Sequence, residues 1–356
     1  MSTTPNSSKK MPTVTMIGMG YVGAVSSAAL AWQGCHVIGV EVNQAKLRML
    51  QCGQSPVFEP GLQELTAQMH AQGALDATDD MCAAVKQSDI IMIAVGTPSN
   101  HQGQVNLDAI DRVTDQLAMA LHFEIKPRVV MIRSTVPPGT IATRIAPKLK
   151  AVCPNVAVCH HPEFLREGSA LKDWHQPPMI VWGCDDPADR VAVDEAMHKI
   201  YKGIDAPHLP LGSRESELMK YACNIYHAVK IDFANEIGAL ASAMGADPAA
   251  VMNAFCHDTK LNISPAYLKP GFAFGGSCLP KDTRAMMGKA REFGMDIPLI
   301  SSVLSSNVAQ LKRGVDMVLQ QGRQRTLMLG LTFKPGTDDL RESPMVELAE
   351  QLLGKG

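Results

Sequence analysis

The sequence predicts an α/β fold: an N-terminal doubly wound parallel sheet, a long connecting helix with a helical middle domain, and the start of a second α/β unit. Three observations carry this reading. Between residues 13 and 150 short apolar runs alternate with helical patterns, the signature of strands joined by crossover helices. From Ser213 to Met244 there is no proline and no interior glycine except Gly238, which leaves room for one helix well above the mean length. After Thr326 a strand-then-helix pattern returns.

The elements follow in order. Val14–Ile17, His36–Val40, Ile90–Val95 and Val129–Ile132 are apolar nearly throughout, as strands covered on both faces should be. Val156–Val158 and Met179–Trp182 extend the sheet, and a helix from Asp186 to Tyr201 closes a Rossmann-like domain over 12–211, behind a disordered tail at 1–11. The long helix, a connecting spine, opens a region at 212–322 with shorter helices at 247–257, 281–292 and 298–320. Its length also offers a self-complementary face, so a homodimer or higher homo-oligomer is expected. Thr326–Leu331 reads as a strand, Lys334–Ser343 as a loop, and Pro344–Leu353 as a helix capped by Ser343 with Pro344 in its first turn. One strand and one helix cannot bury their own apolar faces, so 323–356 reads as an incomplete second Rossmann-like domain.

Composition narrows the function classes. A chain of 356 residues exceeds the usual ceiling for a single core. Its net charge of −2 and lack of dense basic runs argue against nucleic-acid and membrane surfaces. The 9 cysteines are odd in number and lack any C-x-x-C pair, which reads as reduced thiols in a cytoplasmic setting, with no metal site. No apolar run has bilayer-spanning length, and the polar residues 1–10 do not resemble a signal peptide.

The motifs carry the chemistry. Gly18-Met19-Gly20-Tyr21-Val22-Gly23 follows the first strand and opens a helix, an arrangement that admits a pyrophosphate at a helix N-terminus. Glu41, at the end of the second strand, could accept hydrogen bonds from both ribose hydroxyls and would repel the extra phosphate of NADP, so NAD is expected. The other reading is a glycine turn beside a solvated acid. Gly96-Thr97-Pro98 and Ser134-Thr135-Val136-Pro137 end strands on the edge where open sheets bind ligands, although such residues also make ordinary turns. In His161-Pro162-Glu163-Phe164-Leu165-Arg166-Glu167-Gly168, a helical conformation would put both carboxylates on one face as base and water-holder; a solvated helix start explains them equally. Lys220 and Asn224 are one turn apart on the long helix, where a lysine can steady an oxyanion, act as a base, or simply be solvated.

Gly271 to Asp282 is the most informative stretch. Gly275 and Gly276 permit a tight turn, Pro280 suits the first turn of a helix, and Cys278 sits between them near unpaired N–H groups that favour a thiolate. The alternative is a buried, inert thiol.

Together the glycine fingerprint, Ser134–Pro137, Pro162–Gly168, Lys220-Tyr221-x-x-Asn224 and Gly275-Gly276-Ser277-Cys278-x-Pro280-Lys281-Asp282 resemble the UDP-glucose and GDP-mannose dehydrogenase family from residue 13 to 356. Lys260-Leu261-Asn262, Tyr267–Asp282 and Thr337–Pro344 look most like its GDP-mannose branch. The resemblance implies oxidation of a sugar C6 alcohol to a carboxylate with two NAD in succession, through a thiohemiacetal and a thioester on Cys278. For a GDP-mannose substrate the product is GDP-mannuronate, for an acidic exopolysaccharide such as alginate.

The resemblance also implies residue roles. Lys220 and Asn224 would hold the C6 oxygen, Asp282 and Thr135 would position water or base, and Glu163 would assist hydrolysis. Gly18, Gly20, Tyr21, Val22, Gly23, Glu41, Lys46, Gly96, Thr97, Ser134, Thr135, Glu167, Lys281 and Arg341 would bind the cofactor, with Glu167 beside the nicotinamide. Glu163, Phe164, Leu165, Lys220, Asn224, Tyr267, Lys269, Phe272, Gly275 and Lys334 would bind the nucleotide sugar. The family commonly has Asp where Glu41 stands, Asn where His161 stands, and a fuller C-terminal domain. The alternatives are the same chemistry on UDP-glucose, an inactive truncated module that binds NAD and dimerises, or a β-hydroxyacid dehydrogenase, which gives Cys278 no role.

Overall fold

The computed structural model describes residues 11–122, 126, 128–243, 245–259, 270–292, 294, 297–322 and 324–355, without the side chains of residues 236, 239, 240 and 243. It divides into two compact units: Met1–Thr97 with Asn106–Lys220, and Pro98–Val105 with Tyr221–Gly356.

The first unit is built on eight strands: β1 (Thr13–Ile17), β2 (His36–Val40), β3 (Leu75–Thr78), β4 (Ile90–Ile93), β5 (Arg128–Ile132), β6 (Val156–His160), β7 (Ile180–Gly183) and β8 (His208–Leu211). They lie in the order β3-β2-β1-β4-β5-β6-β7-β8 and are parallel except at β6 and β7, which meet antiparallel at His160 and Gly183. After β3 the chain returns to place β4 parallel to β1 on its other side, the doubly wound arrangement expected. Alternate residues feed two separate cores: Val14, Met16, Ile90, Met92, Val129 and Met131 pack on one face, and Ile17, Ile91, Ile93, Val130 and Ile132 on the other. This is why those strands read as unbroken apolar runs. The edge strands do not: Leu75-Asp76-Ala77-Thr78 is polar, and β8 carries Pro210, tolerated because it pairs only with β7.

The spine helix runs from Ser213 to Ala243, and helices at Pro248–His257, Leu279–Glu292, Pro298–Leu319 and Pro344–Leu353 follow. Ser343 caps the last, its hydroxyl accepting from Met345 N–H at 3.3 Å. The strand expected at Thr326–Leu331 is absent: the segment has no paired neighbour among the described residues, and Leu327 and Leu329 are exposed. A strand exists only through its partners, whatever its residue preferences. Likewise 161–167 is not helical, so Glu163 and Glu167 share no helix face. The left-handed Gly168 (φ 86°) intervenes before the helix at Ala170–His175. Among the described residues no helix is long and apolar enough to cross a membrane.

One buried acid straps the ligand edge of the first unit together. Glu59 accepts from Tyr21 O–H at 2.5 Å, from Gly168 N–H at 2.7 Å and from Ala170 N–H at 2.8 Å. Its removal leaves three donors short of a partner. Glu59→Ala is therefore expected to lower unfolding stability by about 3 kcal/mol, at 1–3 kcal/mol for each orphaned buried group. Urea denaturation checks this, and a loss below about 1 kcal/mol contradicts it.

Candidate functional site

The glycine loop after β1 has the shape that a dinucleotide requires. Gly18 takes φ +93° beneath Val95 and Ala94, and its N–H bonds Val40 O at 2.9 Å. A Cβ on Gly23 would lie 1.9 Å from Gly18 O, so only glycine lets the helix Tyr21–Trp32 close onto the loop. A Cβ on Gly20 would meet nothing within 4 Å, which leaves that backbone open to a phosphate. Glu41 is buried at the end of β2, where its carboxyl accepts from Met19 N–H at 3.2 Å and Asn43 N–H at 2.8 Å. The acid is thus held against the loop itself. Asn43 caps the next helix, on which Lys46 is half-buried.

At the ends of β4 and β5 the hydroxyls serve the protein first. Thr97 Oγ1 donates to Thr135 O at 2.8 Å and Ser134 Oγ to Val95 O at 2.7 Å, stitching the two strand ends together beside the exposed Gly96. Thr135 is half-buried and lies between these tied positions.

Beyond β6, Glu163 is buried and doubly held. Its Oε1 pairs with Lys220 Nζ at 2.9 Å and its Oε2 accepts from Leu165 N–H at 2.7 Å. Burial pushes the Glu163 carboxyl up, but the Lys220 ammonium, the Leu165 N–H and Arg133 together hold it below the usual carboxylate range. Lys220 also stands over the Phe164 ring, 5.6 Å from its centre. Leu165 packs into the core, and Glu167 is half-buried, close enough to Tyr21 to help burial and Glu59 push its phenol up. His161, in place of the family's Asn, is fully bonded: Nδ1 to Val181 O and Nε2 to Tyr201 Oη, each at 2.8 Å.

In the second unit Cys278 precedes the helix Leu279–Glu292, and its carbonyl accepts from Asp282 N–H at 2.9 Å, the first bond of that helix. The thiol is exposed, 3.7 Å from Ser277 Oγ. One turn on, the buried Asp282 accepts from the Asn224 amide and lies 3.0 Å from Lys281 Nζ, an ion pair without hydrogen-bond alignment. Gly276 takes φ +87° against the Phe333 ring, and a Cβ on Gly275 would strike Glu342 O at 2.2 Å, so the turn before the cysteine is sterically fixed. Phe272 is a packing residue here, its ring pressed onto Gly314. Arg341 binds Asp339 with its head exposed, and Lys334 is half-buried. Tyr267 and Lys269 lie outside the described residues.

The chain matches the UDP-glucose/GDP-mannose dehydrogenase family in three consecutive stretches: its NAD binding domain over 12–205, its central domain over 214–309 and its UDP binding domain over 327–356. The chain belongs to the UDP-glucose/GDP-mannose dehydrogenase family. As a member it is an NAD-dependent nucleotide-sugar dehydrogenase, and the glycine loop with Glu41 fits NAD. It is 43% identical to the GDP-mannose 6-dehydrogenase of Pseudomonas syringae pv. tomato over 96% of this chain and 78% of that one. A UDP-glucose dehydrogenase structure from Pyrobaculum islandicum matches at TM-score 0.91 and 36% identity, covering 100% of this chain and 82% of that one. A ternary complex of GDP-mannose dehydrogenase from Pseudomonas aeruginosa matches at TM-score 0.68 and 42% identity, over 96% and 79%.

Besides Glu59, two more buried groups escaped the sequence reading. Arg133 sits directly before Ser134, and Glu217 accepts from Gly139 N–H at 2.5 Å and Ile141 N–H at 2.8 Å, bracing the segment after Thr135 to the spine helix. Burial pushes the Glu217 carboxyl up to about 7 despite those two bonds. The folded state thus holds a proton that the unfolded chain releases near the ordinary carboxyl value of 4.5. The contribution of Glu217 to stability is full below that value and is lost as pH rises through about 7. The stability difference between wild type and Glu217→Gln should accordingly shrink across this window; denaturation at several pH values that gives a constant difference contradicts it.

Proposed function

We propose that this chain is a GDP-mannose 6-dehydrogenase, oxidising the C6 alcohol of GDP-mannose to the carboxylate of GDP-mannuronate for an acidic, alginate-type exopolysaccharide. One observation carries the reaction: Cys278 is exposed at the start of a helix, one turn from the buried Asn224–Asp282 pair. The substrate choice follows the relatives, since those named for GDP-mannose are 42% and 43% identical and the UDP-glucose structure 36%.

Bound NAD supplies the hydride acceptor for both oxidations. Lys220, held as the partner of Glu163, steadies the negative charge that develops on the C6 oxygen as its proton leaves. The Cys278 thiolate adds to the aldehyde carbon, which takes up a proton on oxygen to give a thiohemiacetal. Loss of a second hydride and that proton leaves a thioester, and the reactive aldehyde is never released. Glu163, kept ionised, takes a proton from water as it attacks the thioester carbonyl, and the C–S bond breaks to return the thiolate. Asn224, Asp282 and Thr135 orient the oxygen and the water. The balance is one alcohol, one water and two NAD⁺ to one carboxylate, two NADH and three protons. A homodimer on the spine helix suits the exposed Tyr226 and Phe233, seven residues apart on one face, and light scattering at the monomer mass removes it. The reducing cytoplasm suits a mechanism that needs a thiolate.

A second reading, the same oxidation on UDP-glucose, is favoured by the TM-score of 0.91 and by the UDP binding domain match over 327–356. Parallel assays separate the two: GDP-mannose is expected to give the higher kcat/KM, with about two NADH formed per sugar. Cys278→Ser is expected to lose acid formation by about a thousandfold or more. Full acid production by that variant eliminates the thioester route.

A further inference from the structure

Beside Glu163 the first unit holds a partly open pocket with about 30 Å³ of space for water, lined among others by Arg133, His161, Glu163, Trp174 and Tyr201. Arg133 is 2% exposed, and its Nε and Nη1 find no hydrogen-bond partner among the described residues. Its guanidinium is held in place by Trp174, whose ring centre is 5.3 Å away. An arginine cannot lose its charge, and an unpaired buried donor costs about 1–3 kcal/mol, so two of them side by side call for an acceptor. Of the groups on the wall, the Tyr201 hydroxyl interacts with the guanidinium, but none is aligned to accept from Nε or Nη1. His161 uses both ring nitrogens, one on Val181 O and the other on Tyr201 Oη, and Asp173 is taken by Arg166 in a two-pronged pair at 2.6 and 3.0 Å. A water needs roughly 10–15 Å³ of such space and two to four polar partners. The pocket meets both conditions.

We propose that this pocket holds an ordered water and that Arg133, through the water, is a positioning residue for Glu163: the guanidinium donates to the water, and the water donates to the Glu163 carboxylate. The proposal rests on the hydrolytic role given to Glu163 above. The titratable and charged groups facing that carboxylate are Lys220 from the spine helix, Arg133 from the end of β5, and His161, Tyr201 and Asp173 around the pocket. Burial keeps both His160 and His161 neutral, the former pushed down to about 3, so Lys220, the Leu165 N–H and Arg133 offset the burial of Glu163. Arg133 thus orients the acid and preserves its charge alongside the Lys220 ion pair.

Three measurements test this. A high-resolution crystal structure of the wild-type protein should show a water bonded to Arg133 Nε or Nη1 inside the pocket; a dry or side-chain-filled pocket overturns the proposal. In Arg133→Met the titration of Glu163, followed by carboxyl carbon NMR, and the acid limb of kcat should both move up by about one pH unit, a tenfold change in the ionisation equilibrium. Arg133→Lys keeps the charge and should leave both where they are. A wild-type profile in the methionine variant, or an equal shift in the lysine variant, sinks the role. Should Arg133→Met fail to fold, the crystallographic water and the lysine variant still decide. If the wild-type protein forms no acid from either sugar nucleotide, the functional reading falls alone, because the water and the NMR titration are read without turnover.

Discussion

The buried ion pair between Lys220 and Glu163 is the constraint on which the catalytic end of the first unit depends. Two charges taken out of water cost several kcal/mol each, so neither group tolerates burial without the other. The pair forms only if the spine helix meets the sheet in one register. Three further contacts set that register: Asp185 accepts from Ser213 N–H at 2.8 Å, His160 Nδ1 lies 2.9 Å from Ser216 Oγ, and Glu217 holds Gly139 and Ile141. One residue of slip turns a helix by about 100° and would lose all of them together. The opening turns of a long helix therefore belong to the NAD-binding unit.

Much of this was legible because the signals were local. β1, β2, β4 and β5 announce themselves through unbroken apolar runs, and the turns at Gly18–Gly23 and Gly275–Cys278 through glycines with no steric substitute. β3 and β8 were missed because edge strands need no such run, and Thr326–Leu331 was overread because alternation does not supply a neighbour. Glu59, Glu217 and Arg133 were invisible for another reason. Glu59 meets Gly168 across 109 positions and Glu217 meets Gly139 across 78, distances over which no spacing rule operates. Only the fold brings them to their partners.

The same geometry explains how the strand ends remain rigid while open to ligands. Thr97 and Ser134 spend their hydroxyl protons on main-chain carbonyls of the neighbouring strand, so the loops at the ends of β4 and β5 are set before anything binds. Preset polar groups lose little freedom when a charged transition state forms against them. The neutral histidines below contribute in a complementary way, since they add bonds without adding a charge that would change near physiological pH.

The distribution of sulfur across the surface has a practical consequence. All nine cysteines are reduced, and Cys278 shares its exposure with Cys52 and Cys82, while Cys35, Cys153, Cys159 and Cys184 are enclosed. With Cys223 and Cys256 half-buried, a maleimide or iodoacetamide reagent would therefore report on several positions at once, and inactivation by alkylation would not identify its own target. A background lacking Cys52, Cys82, Cys223 and Cys256 would turn such a reagent into a selective probe of the helix-terminal thiol.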